Sequence, residues 1–301
     1  MTTRDTRRYS ATQNDYADLD SFFEAPVMQG LSTISYNERV LDVLVNPSEG
    51  AETLILSFHP AVTNEKVTRP YFVGAGVFRT LQAHKVYFAD PTLELNDELK
   101  LAWFAGNSEQ RSVQDDLTRI IEHLVRGLGA KHVILVGTSG GGFAALHYSA
   151  RIPNSLAFVV NPQTDLLKYH RQHVMKYSKL AWNIHTFEKA HQVLPQRTTT
   201  SVVGQYAAGP ENSVLYLQSA TDQHHIEHHM TPLLQERASL TDIRVLLGHG
   251  WGPGHHPAPK AMQIELLEAA VEVHGEWLRL WERFPEFKTP SETLGAVALT
   301  I

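Results

Sequence analysis

The chain has 301 residues, 43% of them hydrophobic and 19% charged, enough to bury a substantial core as one large domain or two small ones. Its net charge of -6 argues against a nucleic-acid partner, which selects a basic face, and the absence of cysteine excludes disulfides and thiolate metal sites. The opening MTTRDTRRYSATQNDY is polar and lacks the apolar stretch of a secretory leader, and no run approaches the roughly 20 apolar residues of a membrane span, so a soluble, cytoplasmic protein is expected. Histidine is abundant at 17 residues, with several between His224 and His256.

Residues 1–30 read as a loose polar arm ending in an apolar patch (Phe22, Phe23, Val27, Met28). RVLDVLVNP (39–47) alternates and stops at Asn-Pro, a strand and a turn. TLILSFHP (53–60) and KVYFAD (85–90) are short continuous apolar runs, the mark of strands buried on both faces. Val113, Leu117, Ile120, Ile121, Leu124, Val125 and Leu128 fall at helical spacing, with Asp115–Arg119 and Glu122–Arg126 as i,i+4 pairs and Gly127 and Gly129 at the expected end. HVILVG (132–137) and SLAFVVNP (155–162) read as further buried strands. Residues 163–212 break the rhythm and read as an inserted helical cap, after which SVLYLQSA (213–220) and IRVLLG (243–248) resume the strands. A last helix carries Leu267, Val271, Leu278 and Trp281 on one stripe. Alternating strands and helices predict an α/β fold: a single domain over 31–301 with a mostly parallel sheet and helices on both faces.

Gly137-Thr138-Ser139-Gly140-Gly141 satisfies G-x-S-x-G with a strand before it and a helix after it. On such a hinge the small residues let neighbouring backbone pack close. The serine hydroxyl then stands at the carboxyl edge of the sheet, with the Gly140 N–H at a helix N-terminus, where negative charge is favoured. A phosphate loop would need a Lys after the glycines, and a dinucleotide fingerprint would need G-x-G-x-x-G. GTSGGG and GAGVFR (74–79) supply neither. The plainer reading is a tight strand–helix turn without chemistry.

With this motif, the strand order and the later polar residues, the chain from about 39 to 284 resembles the α/β-hydrolase superfamily. The resemblance implies a triad in the order Ser, acid, His, and a second oxyanion donor from the loop after the third strand. For the acid, Asp222 after LYLQSATD is favoured over Asp165 after VVNPQT; either also fits a helix N-cap. For the base, His255 in GHGWGPGHHP is favoured, with His249 second. SFHPAV resembles the superfamily's His-Gly-x turn with Pro60 in the glycine's place. Proline has no N–H, so Gly140 and Ala61 become the expected oxyanion donors. His59, Gln163 and Trp251 are the expected pocket residues.

In TDQHHIEHHM, His224 with His228 and His225 with His229 have i,i+4 spacing, but the pattern is not H-E-x-x-H and shows no third ligand. A solvated helix face or a polar pocket wall is expected there, with no metal. Lys168, His170, Arg171, His173, Lys176 and Lys179 fit a solvated helix face better than a site for an acidic substrate. VVNPQTD, ATDQHHIEHH and GWGPGHHP together resemble bacterial α/β-hydrolase-fold proteins of surface polysaccharide and glycoprotein synthesis, some of them O-acyl esterases or acyltransferases. The implied activity is cleavage of a small-molecule or glycan ester by a cofactor-free serine esterase. The alternatives are an O-acyltransferase acting on a sugar hydroxyl and a non-catalytic partner of a glycosyltransferase assembly. A homo-oligomer is compatible with the composition.

Overall fold

The computed structural model describes residues 4–64, 67–236 and 242–298. Nine strands form one sheet: β1 (Gln13–Tyr16), β2 (Gly30–Tyr36), β3 (Arg39–Asn46), β4 (Thr53–Phe58), β5 (His84–Phe88), β6 (His132–Thr138), β7 (Leu156–Val160), β8 (Ser213–Ser219) and β9 (Ile243–Gly248). Their order is β1-β2-β3-β5-β4-β6-β7-β8-β9. β3 pairs antiparallel with both neighbours and every other pairing is parallel. The continuous apolar runs behave as buried parallel strands should: every residue of β4 and of β7 is buried.

β2 is an element the sequence pattern did not yield. It joins β3 through Asn37 and Glu38, both at positive φ (47° and 61°), with Tyr36 opposite Arg39. This is the two-residue hairpin geometry that Asn-Gly usually signals. With Glu in the second place the turn carries no glycine to announce it.

The N-terminal arm is not loose, which corrects the sequence reading. Residues 13–16 add β1 to the sheet edge. Asp18 caps the helix Leu19–Glu24 through a capping box with Ser21. Phe22 is buried against Tyr16, Phe23 and His123. The apolar patch anchors the arm.

The helix Val113–Gly127 buries Val113, Leu117, Ile120, Ile121 and Leu124 of its predicted stripe, but the predicted Asp115–Arg119 pair changes partners. Arg119 pairs with Asp116 at 3.3 Å, and Asp115 pairs with Arg151 at 2.7 Å. The predicted last helix is two, Lys260–Glu272 and Trp277–Arg283, separated at His274 and Gly275, both at positive φ. The break takes Leu278 off the stripe, and it is 68% exposed.

The segment between β7 and β8 folds as short helices, the longest being Arg171–Trp182 and Phe187–Val193. Val174, Tyr177, Ala181 and Trp182 are the buried face of the first. It docks on the loop after β5: the Tyr177 hydroxyl donates to Gly106 O at 2.8 Å, and Ala181 O accepts from Ser108 N at 2.9 Å. Lys168, His170, Arg171, Lys176 and Lys179 are exposed or half-buried, as is His173. Two apolar layers flank the sheet, one beneath Val113–Gly127 and Gly140–Ser149, the other beneath Lys260–Glu272 and Trp277–Arg283. No helix among the described residues is long and apolar enough to cross a membrane.

Candidate functional site

Ser139 lies between β6 and the helix Gly140–Ser149 with φ 56° and ψ -118°. A positive φ at a non-glycine residue costs of order 1–3 kcal/mol, so the surroundings must enforce it. The glycines show how. A Cβ at Gly137 would lie 2.0 Å from Gly141 O, and one at Gly141 would lie 2.2 Å from Phe58 O. The turn therefore closes only without side chains at these places, packed against the end of β4. Gly140 N–H is a first-turn amide with no intrahelical acceptor, beside a nearly buried Ser139 side chain.

The serine hydroxyl meets an amide rather than an imidazole. Gln163 Nε2 donates to Ser139 Oγ at 2.8 Å and faces His225 Nε2 at 3.3 Å. The Gln163 amide is oriented by Trp103, whose indole N–H donates to Oε1 at 2.7 Å. Its backbone N–H donates to Ser139 O at 3.1 Å. Tyr169 completes the wall. Burial and the Asp222 charge raise its phenol pKa, while contact with the Ser139 hydroxyl lowers it.

Asp222 and His255 come together from the ends of β8 and β9. His255 Nδ1 lies 2.6 Å from Asp222 Oδ2 in an aligned hydrogen bond. His225 Nδ1 lies 2.9 Å from the same oxygen but off the hydrogen-bonding axis. The two rings stack at 4.1 Å with 23° between planes. Burial pushes the Asp222 carboxyl up, yet the close contact of His225, the hydrogen bond of His255 and the charges of both outweigh it and hold the group well below the usual carboxylate range. Burial lowers the His225 imidazole to about 4.

The other expected residues sit elsewhere. Asp165 caps a short helical turn through Leu167 N at 2.9 Å, so its side chain serves the backbone. His249 is exposed. Trp251 lies over Gly248, where a Cβ would meet its ring at 1.9 Å, and packs on the layer beneath Lys260–Glu272. His59 is buried with both ring nitrogens engaged: Nε2 accepts from Asp90 N at 3.1 Å and Nδ1 donates to Pro60 O at 2.8 Å. It braces the loop that carries Ala61. The histidine cluster runs from the turn Gln223–His225 into a wider π-helical turn, Ile226–Met230, and the rings of both expected pairs, His224–His228 and His225–His229, meet at 4.7 and 4.9 Å between centroids. His225 and His229 are buried and His228 is exposed. His225, Trp103 and Tyr169 lie around Ser139 and Asp222 in the candidate site, and the sequence reading did not assign them. For His225 a signal existed, three residues after the favoured acid; for the other two there was none.

No family model matches the chain, and no curated protein does. Solved structures do match in fold. The capsule O-acetyltransferase of Neisseria meningitidis serogroup A superposes with a TM-score of 0.57 over 82% of this chain and 96% of that one, at 16% identity. The Gap123 glycosylation-associated complex from Streptococcus agalactiae gives 0.55 over 83% of this chain and 46% of that one, at 15% identity. Prolyl oligopeptidase B from Galerina marginata gives 0.50 over 80% and 35%, also at 15% identity. With β3 alone reversed, a strained serine after β6 and an acid and a histidine after β8 and β9, the chain has the α/β-hydrolase fold.

Proposed function

We propose that this protein cleaves a carboxylic ester through an acyl-enzyme on Ser139. The observation that carries the reading is the strained serine itself, held at φ 56° with a first-turn amide beside it. Strain of this kind persists where the position of one side chain is worth its cost. Ser139 Oγ attacks the acyl carbonyl, and the Gly140 and Ala61 amides stabilise the oxyanion, a contribution of about 3–4 kcal/mol per donor in such sites. His255 takes the serine proton and returns it to the leaving alcohol. Asp222, kept ionised, holds the proton of His255 on Nδ1 and stabilises the imidazolium. Water then releases the acyl group by the same route. In the resting state Gln163 Nε2 donates to Ser139 Oγ, and the serine–imidazole bond forms as substrate enters.

A second reading, acyl transfer to a sugar hydroxyl, is supported by the likeness to a capsule O-acetyltransferase. The same residues would serve, with an acceptor alcohol in place of water. Labelling with a fluorophosphonate probe, followed by mass mapping, tests both. An adduct on Ser139 that is lost in Ser139→Ala is expected. An ester panel with and without added sugar then separates hydrolysis from transfer by the product formed. A well-folded wild type that takes no label would overturn both readings and leave a non-catalytic assembly partner.

A further inference from the structure

We infer that His225 is a positioning residue for this chemistry: a second imidazole on Asp222 that holds, through Gln163, the orientation of the Ser139 hydroxyl. The inference rests on Ser139 being the nucleophile.

The protonation pattern follows from the donors. An indole N–H only donates, so the Trp103 contact fixes Gln163 Oε1 toward Trp103 and turns the NH2 toward Ser139 Oγ and His225 Nε2. His225 Nε2 must then be the acceptor, which leaves its proton on Nδ1, facing Asp222 Oδ2 at 2.9 Å. Two arms thus run from one carboxylate. The exposed arm is Asp222–His255. The buried arm is Asp222–His225–Gln163–Ser139.

The arms differ in burial. His225 is 2% exposed in its side chain and sits on the helical turn that Asp222 caps, its own N–H on Asp222 Oδ1 at 3.3 Å. His255 is 35% exposed, on a loop where Gly250, Gly252 and Gly254 all have positive φ. The groups facing His225 are Asp222, His224 and His229 from its own segment, His255 from the loop after β9, and Tyr169 from the segment after β7. With Gln163 N–H donating to Oγ, the serine's own proton is directed away from the amide. The buried arm aims the nucleophile and the exposed arm takes the proton.

The same three groups have a spacing that suits a divalent ion, their ligand atoms lying within 4.8 Å of one another. The tautomer argues against it, because a proton on His225 Nδ1 leaves no lone pair there for a metal.

The test uses two part-mimics of the imidazole. A Gln side chain places an amide oxygen near the Nε2 position, and an Asn side chain places an amide near the Nδ1 position. His225→Ala is expected to slow acylation of Ser139 about 10- to 100-fold with little change in KM, as a misaimed nucleophile should. His225→Gln is expected to recover most of that rate, and His225→Asn less. Equal rates in His225→Ala and wild type would overturn the inference. So would a loss as deep as that of a Ser139 variant together with an active His255→Ala, which would make His225 the base. Solvent exchange of the Gln163 side-chain amide, read by NMR, needs no turnover. It is expected to be slow in wild type and Ser139→Ala, and fast in His225→Ala and Trp103→Phe. Slow exchange in His225→Ala would overturn the inference even if wild type took no probe and the esterase reading had failed.

Discussion

The two halves of the candidate site are built in opposite ways. The serine half is local: a strand, a turn and a helix within residues 132–149, locked by glycines against backbone. The histidine half is assembled from afar, with Gln163 after β7, Asp222 and His225 after β8, and His255 after β9. The serine half stores strain and tolerates no side chain at Gly141. The histidine half ends in an exposed loop, where a Cβ added at Gly254, φ 60°, would meet nothing within 4 Å. A nucleophile must be fixed in a strained geometry, while a base that serves two successive proton transfers has room to move.

The largest expected effect comes from breaking the rigid half. Gly141→Ala drives a Cβ into Phe58 O, which is backbone and cannot swing away. Probe labelling of Ser139 should be lost, with a stability cost of about 1–3 kcal/mol in a thermal melt. The matching change in the histidine half, Gly254→Ala, meets only the strain of a positive φ, about 1–2 kcal/mol, and should leave the label in place. Retained labelling in Gly141→Ala would sink the claim that packing enforces the elbow.

Next come the two aspartates. Asp222→Asn removes the charge that stabilises the imidazolium and should lower kcat about 10⁴-fold on any ester turned over. Asp165→Asn keeps a side-chain oxygen for Leu167 N–H and should change kcat little. Comparable losses in both would overturn the choice of Asp222 over Asp165 as the acid.

How far the sequence could be read follows the same divide. The serine half was legible because every determinant lies within a few residues: the apolar run of β6, then glycines whose missing side chains the turn requires. Asp222 and His255 were legible as candidates only because strand order places them at one sheet edge. Rivals such as Asp165 and His249 could be separated only by what each side chain touches. His225 was visible as one histidine of a cluster, but its role depends on Gln163 and Trp103, some 60 and 120 residues earlier in the chain. β1 and β2 were missed for a local reason. Their strands are short or half-polar, and the hairpin turn uses Glu38 at positive φ instead of glycine.

The smallest effect concerns stability against pH, to which both halves contribute buried neutral histidines. Burial lowers His225 and His59 to about 4, His147 on the serine helix to about 3, and His229 further still. Each has a folded value below the ordinary 6.5, so between these values the unfolded chain binds the extra proton. Their stability contribution is complete above pH 6.5 and is lost as pH falls toward 4, at about 1.4 kcal/mol per pH unit for each histidine. Asp90 opposes this. Burial raises its carboxyl to about 6, so the folded state takes up that proton first and gains stability as pH falls from about 6 to its ordinary value of 3.8. Glu94 and Asp165, also raised by burial, act in the same sense as Asp90, and the four histidines outweigh these three carboxyls. Urea denaturation should therefore show a lower unfolding free energy at pH 5.5 than at pH 7.5. In His147→Gln, which removes one buried imidazole from the serine half, the gap between the two pH values should narrow by about 1.4 kcal/mol. An unchanged gap would mean that the pH sensitivity resides in the histidine half alone, where a His229→Gln variant would then have to carry it.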